Sequence, residues 1–207
     1  MSQNESSNDD IERLLESANS GNRQAFEEIF ARFQPYLTKV ITLRMPNRLR
    51  KRKDPEEIVQ EAFLHSFERL SDFMDRRPMP FRLWLRGNAV ERLVQDQRHH
   101  SSQKKDMNRE VGLPEESGFA LVEKLFGVST SPSQKVEKAE TIEKILESLN
   151  LLEEDDREIL VLRILEEHSN MEAAQILSIT PDAASQRYVR ALKKIRKIVN
   201  EIGLLEE

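Results

Sequence analysis

Apolar side chains in this chain recur three and four positions apart over two long intervals, a spacing that permits little besides amphipathic helices. The first interval carries Ile11, Leu14, Leu15 and Ala18, then Phe26, Ile29, Phe30, Phe33, Leu37, Val40 and Ile41 beyond a break at Ser20, Gly21 and Asn22. The second carries Ile142, Ile145, Leu146, Leu149 and Leu152, followed by Ile159, Leu160, Leu162 and Ile164. Six glycines and eight prolines in 207 residues are too few for a sheet-rich fold with many tight turns, whereas good helix formers fill the intervals. The predicted class is all-α: two small helical domains joined by a flexible linker, the C-terminal one containing a helix-turn-helix.

The first domain is expected over residues 10–100, with a polar residue 1–9 segment that frays. Pro35 is expected to bend the second helix or lie near a turn of it. Asp54, Pro55, Glu56 and Glu57 supply a cap, a first-turn proline and an acid three residues after the cap, so a helix should open there. The prolines at 78 and 80 mark residues 72–80 as a loop joining two helices. The next helix should bury Phe81, Leu85, Ala89 and Leu93, with Trp84 in the core. Residues 101–138 hold three of the six glycines and six serines, which marks a linker with room for a short helix over 119–126. The second domain, 139–203, ends in a short helix at 171–177, a turn of Ser178, Ile179 and Thr180, and a long helix that Thr180 caps and Pro181 opens.

The net charge of −5 conceals two basic tracts. Residues 44–100 hold 13 basic and 9 acidic side chains, a local +4, and residues 187–197 hold six basic ones with no acid. A short helix, a turn and a longer basic helix form the arrangement whose second helix can enter the major groove. Asp182, Ser185, Gln186 and Arg187 lie at its leading end, where base edges would be met, and Arg190, Lys193, Lys194 and Lys197 lie further back, within reach of phosphates. A solvated basic face is the competing explanation.

Chemistry at a catalytic centre is not expected. The chain has no cysteine, His65 has no second histidine nearby, and the His99, His100 pair lies at the end of a basic helix, where it is expected to face solvent or phosphate. It also lacks a glycine-rich phosphate loop and the short motifs of hydrolases and metalloproteases. No cofactor is therefore expected. The sequence shows neither a leader with an apolar core nor 18 consecutive apolar residues, so the expectation is no membrane insertion and a cytoplasmic location.

Four segments, in order, resemble a known family: AFEEIFARFQPYLTKV at Ala25 to Val40, DPEEIVQEAFLHSFERL at Asp54 to Leu70, PFRLWLRGNAVERLVQDQRHH at Pro80 to His100, and residues 151–198. They are similar to the bacterial sigma factors of the extracytoplasmic-function (ECF) group, sigma-70 family; the RLWLRGNAVERL and RHH segments resemble Planctomycetes-type variants. The resemblance implies an initiation factor with RNA polymerase core and promoter DNA as partners, and it admits an anti-sigma factor. It makes 10–100 region 2 and 139–203 region 4. The second segment becomes the polymerase-binding helix, with an exposed edge of Asp54, Glu57, Gln60, Glu61 and Leu64. The third becomes the melting and minus 10 segment, with Phe73 in the preceding loop holding an extruded base, and Arg76, Arg77, Arg82, Arg86, Arg98 and His99 toward DNA. The chain departs from the family at Glu167 and Ser178, where many members have glycine, and at Glu91 and Gln95, where Asn and Asp are common. Two other classes compete: an autonomous helix-turn-helix regulator with an N-terminal dimerisation or sensing domain, and a helical adaptor without DNA contact.

Overall fold

The computed structural model of the chain describes residues 2–101, 114–126, 149 and 151–201. Every regular element among them is helical, and the chain divides into two compact units, 1–107 and 108–207.

The first unit holds α1 (Ser2–Asn19), α2 (Arg23–Arg44), α3 (Asn47–Arg50), α4 (Pro55–Glu68), α5 (Leu70–Arg76) and α6 (Phe81–Ser101). Helix α1 begins at Ser2, so the expected fraying through residue 9 is replaced by regular helix. The chain reverses at Gly21, whose φ of +97° suits a residue without Cβ, and Asn22 caps α2 by accepting the Ala25 N–H at 3.2 Å. Helix α2 runs through Pro35 without ending. Its Phe26, Ile29, Leu37 and Ile41 are fully buried. Phe26 centres an aromatic cluster, with Phe63 and Phe67 of α4 each 5.2 Å away between ring centroids and Phe81 of α6 at 6.4 Å. Trp84 packs on this core, stacked on Phe81 at 5.5 Å, as its spacing predicted.

Residues 72–76, expected as loop, lie in α5. Leu70 and Phe73 are three residues apart and both buried, which gives α5 an apolar face, while the prolines act only beyond Arg77. Arg77 ends α5 in the left-handed region and donates to Glu12 of α1 at 2.6 Å.

The second unit holds α7 (Glu115–Phe126), α8 (Glu154–Leu160) running into a π-helical turn (Val161–Leu165), α9 (Asn170–Ile176) and α10 (Pro181–Glu201). The helical period read over Ile142, Ile145 and Leu146 falls outside the described residues; Leu149 and Leu152 are buried. Leu121 of α7 is fully buried, and Lys124 donates to the Ile164 carbonyl at 3.1 Å and to Glu167 at 2.7 Å, which fastens α7 to the π-turn. Ser169 caps α9 in a reciprocal box: its hydroxyl accepts the Glu172 N–H at 3.2 Å and its own N–H reaches Glu172 Oε2 at 2.8 Å. Ala173 and Ala174 are buried where α9 crosses α10, a close approach that larger side chains would prevent. Thr180 Oγ1 accepts the Ala183 N–H at 3.2 Å, the expected cap of α10. Ala184, Ala191 and Ile195 point inward from that helix.

Glu167 and Ser178 adopt φ of +61° and +53°. Both therefore carry a Cβ where the backbone favours glycine. Ser178→Gly should raise the urea unfolding free energy by about 0.5–1 kcal/mol. Glu167→Gly should gain less, because it also removes the pair with Lys124.

Candidate polymerase and nucleic-acid interfaces

Helix α4 turns Ile58, Val59, Ala62 and Ser66 inward, which leaves the opposite side facing solvent. Asp54, Glu57, Gln60 and Leu64 are exposed there, and Leu64 at 54% is a large apolar side chain without cover. Asp54 also donates its backbone N–H to Glu57 at 3.2 Å, so these two acids set the helix start. Glu61 is different. It is half-buried, accepts from Lys53 Nζ at 2.6 Å and from Arg92 Nε of α6 at 2.6 Å, and Lys53 in turn binds the buried Asp96. Burial pushes the Glu61 carboxyl up, but the two cations outweigh it and hold the group below its ordinary value of 4.5. Glu61 thus ties α4 to α6.

The expected minus 10 residues separate into three groups. Phe73 is 4% exposed, with its ring 4.8 Å from Trp84 and 5.2 Å from Phe81 between centroids, and Arg86 is buried. These two correct the sequence expectation: Phe73 belongs to the core of α5 and α6, where desolvation of its ring stabilises the unit, and Arg86 does not face solvent. Arg77 and Arg82 are engaged within the unit, Arg77 with Glu12 and Arg82 over the Tyr36 ring at 4.9 Å. Arg76, Arg98 and His99 are exposed.

In the second unit, the inward positions 184, 191 and 195 place Asp182, Gln186, Val189, Lys193 and Lys197 on the outer side of α10. Ser185 is exposed beside them. Arg187, Arg190 and Lys194 occupy the adjoining edge and meet the acidic start of α8. Arg187 pairs with Asp155 at 3.0 Å, Arg190 with Asp156 at 2.6 Å, and Lys194 with Asp156 at 2.7 Å and Glu153 at 3.4 Å. Burial raises the Asp156 carboxyl, yet hydrogen bonds from Arg190 and Lys194 prevail and hold it below its ordinary value of 3.8. Sequence reasoning missed two residues. Val189 is 48% exposed between Gln186 and Lys193, and an exposed β-branched residue on an outer helix face was the available signal. Asp156 is an acid in a first helical turn, a place that such residues favour at the surface, and nothing local signals its burial.

Lowered carboxylates at 61 and 156 set the direction of acid sensitivity. Their pairs stabilise the fold fully above the ordinary carboxylate values of 4.5 and 3.8, and that contribution is lost as pH falls through the lower folded values. Both units should therefore lose stability below about pH 4 in a denaturant series, and Asp156→Asn should flatten that dependence for the second unit.

Among the described residues, no group of His, Cys, Asp and Glu could hold a metal ion, and no helix is long and apolar enough to cross a membrane.

Residues 142–195 match the family described as Sigma-70, region 4. The chain is 23% identical to the ECF RNA polymerase sigma factor SigD of Mycobacterium tuberculosis, over 93% of this chain and 85% of that one. It is 26% identical to the RNA polymerase sigma factor CnrH of Cupriavidus metallidurans, over 93% and 96%, and 27% identical to the ECF RNA polymerase sigma-E factor of Escherichia coli, over 88% and 90%. The solved structure of CnrH in complex with the cytosolic domain of CnrY shares the fold, with a TM-score of 0.54 at 21% identity over 93% of this chain and 98% of that one. The chain is helical, matches region 4 in its C-terminal unit, and is similar along nearly its whole length to such factors. The similarity is thus to the sigma-70 family, in its extracytoplasmic-function group.

Proposed function

We propose that this chain is a non-catalytic transcription initiation factor that binds RNA polymerase core in the cytoplasm and directs it to promoters carrying its minus 10 and minus 35 elements. The single observation that carries this reading is similarity to sigma factors across both units, over 88–93% of the chain. Residues 10–100 act as region 2, 139–203 as region 4, and 101–138 as the connection between them, of which α7 packs on the second unit. The exposed edge of Asp54, Glu57, Gln60 and Leu64 meets the polymerase, because an apolar side chain rimmed by polar and acidic ones suits a protein partner. Glu61 contributes there mainly by holding α4 on α6.

Arg76, Arg98 and His99 are the outward candidates for the melted minus 10 strand. On α10, Asp182, Ser185, Gln186 and Val189 meet base edges, with Val189 suited to a thymine methyl, while Lys193 and Lys197 lie along phosphates. Arg187, Arg190 and Lys194 add cations from the adjoining edge. The CnrH structure, whose partner is the cytosolic domain of CnrY, supports an anti-sigma protein as a further partner of this chain. A pull-down of core polymerase tests the first contact. The double variant Gln60→Ala/Leu64→Ala should retain its thermal transition and bind core at least tenfold more weakly, about 1.4 kcal/mol. Equal binding by the folded variant contradicts the assignment.

A further inference from the structure

Asp156 is a fully buried carboxylate at the start of α8, yet its partners are the exposed ends of two cations on another helix. Arg190 approaches with two nitrogens, Nη2 at 2.6 Å and Nε at 3.1 Å from Oδ1, and Lys194 Nζ lies 2.7 Å from Oδ2. One carboxylate therefore engages both cations, one helical turn apart on α10, with a separate oxygen taking the shortest contact of each. The Arg190 side chain nevertheless stays 53% exposed and that of Lys194 38% exposed, so both remain open to solvent while anchored. Long cationic side chains lose considerable rotamer freedom when they are fixed on a ligand, and a contact made in advance by the protein reduces that loss on binding.

We infer that Asp156 is a positioning residue for DNA binding, holding Arg190 and Lys194 along one edge of α10 so that both cations meet the phosphate backbone in a fixed geometry. This rests on the reading of α10 as the promoter-contacting helix. The flanking acids behave differently: Asp155 and Glu153 are largely exposed and pair with Arg187 and Lys194 only at the surface, where salt and solvent weaken the attraction. The buried carboxylate alone has the enclosure that makes direction matter.

The sign of the effect separates this role from simple electrostatics. Removing an acid beside a DNA-binding helix makes the surface more positive and should tighten binding if charge alone mattered. Loss of positioning predicts the reverse. The test uses core polymerase reconstituted with the full chain, a promoter selected by the wild-type holoenzyme, and a scrambled duplex of equal length. Asp156→Asn should weaken binding to both DNAs by about tenfold, the scale of one charge-assisted contact. The same change introduced into Arg190→Ala/Lys194→Ala should alter binding by less than about twofold, because the groups it orients are gone.

Arg190→Lys, which keeps the charge but not the two-nitrogen grip, should lose nearly as much as Arg190→Ala, and it supplies the answer should Asp156→Asn fail to fold. Tighter or unchanged binding by folded Asp156→Asn, a loss that persists in the Arg190→Ala/Lys194→Ala background, or full activity of Arg190→Lys would each overturn the inference. Wild-type holoenzyme that selects no promoter would instead overturn the functional reading, and the positioning role would fall with it.

Discussion

Phe26→Ala should destabilise the first unit by about 3–5 kcal/mol, enough to leave much of it unfolded at moderate temperature. The ring is fully buried and touches α4 and α6 through Phe63, Phe67 and Phe81, so its removal leaves a cavity at the junction of three helices. Collapse of that cavity would require those helices to shift together, and interiors packed at crystal-like density do so only partly. Thermal or urea unfolding followed by circular dichroism measures the loss. Because the second unit has its own core of Leu160, Leu162, Leu165 and Ile195, the variant should retain a separate transition from that unit. A single unchanged transition in Phe26→Ala would contradict the account of the first core.

Lys53→Met should be the next most damaging change, at about 2 kcal/mol. Lys53 joins Glu61 of α4 to Asp96 of α6, and both its own side chain and that of Asp96 are largely enclosed. Deleting the cation leaves two acids near one another with Arg92 as a shared partner, 2.6 Å from Glu61 and 3.4 Å from Asp96. The methionine keeps most of the apolar stem, which limits the loss to charge and hydrogen bonding. The difference from wild type should shrink as pH falls through the lowered Glu61 value, since wild type then loses the Lys53–Glu61 pair as well. Denaturant midpoints at about pH 7 and about pH 3 provide the comparison, and a penalty that grew in acid would contradict the assignment.

The parts of the fold that follow from short-range rules were legible from residue order. The caps of α4 and α10, the apolar stripe of α2 and the alanines at the helix-turn-helix crossing are written in neighbouring residues, and each spacing carries its own physical meaning. Helix α5 was hidden because prolines at 78 and 80 signal a break without saying how far upstream the helix persists. The burial of Phe73 was hidden because an aromatic residue near a basic run suits a nucleic-acid pocket and a core equally well. Arg86 and Asp156 illustrate the same limit for charge. A basic residue between Leu85 and Asn88, or an acid in a first helical turn, reveals its enclosure only when the opposing helices are in place.

The candidate site was legible in its residue types and less so in its division of labour. Periodicity places Gln186 and Lys193 on the outer side of α10, but the pairing of Arg187, Arg190 and Lys194 with α8 involves acids about 30 positions earlier, beyond any local pattern. One consequence is specific. Gln186→Ala should weaken binding at a selected minus 35 sequence by about 1–3 kcal/mol and change a scrambled duplex little, whereas Lys193→Ala should weaken both and lower the salt dependence by about one unit.

Run-off transcription by purified core polymerase on a genomic promoter library, with and without the chain, tests the central claim most directly. The proposed initiation role predicts discrete, promoter-specific transcripts that appear only when the chain is added and that share sequence motifs near positions −10 and −35. The same transcripts with and without the chain would contradict that account.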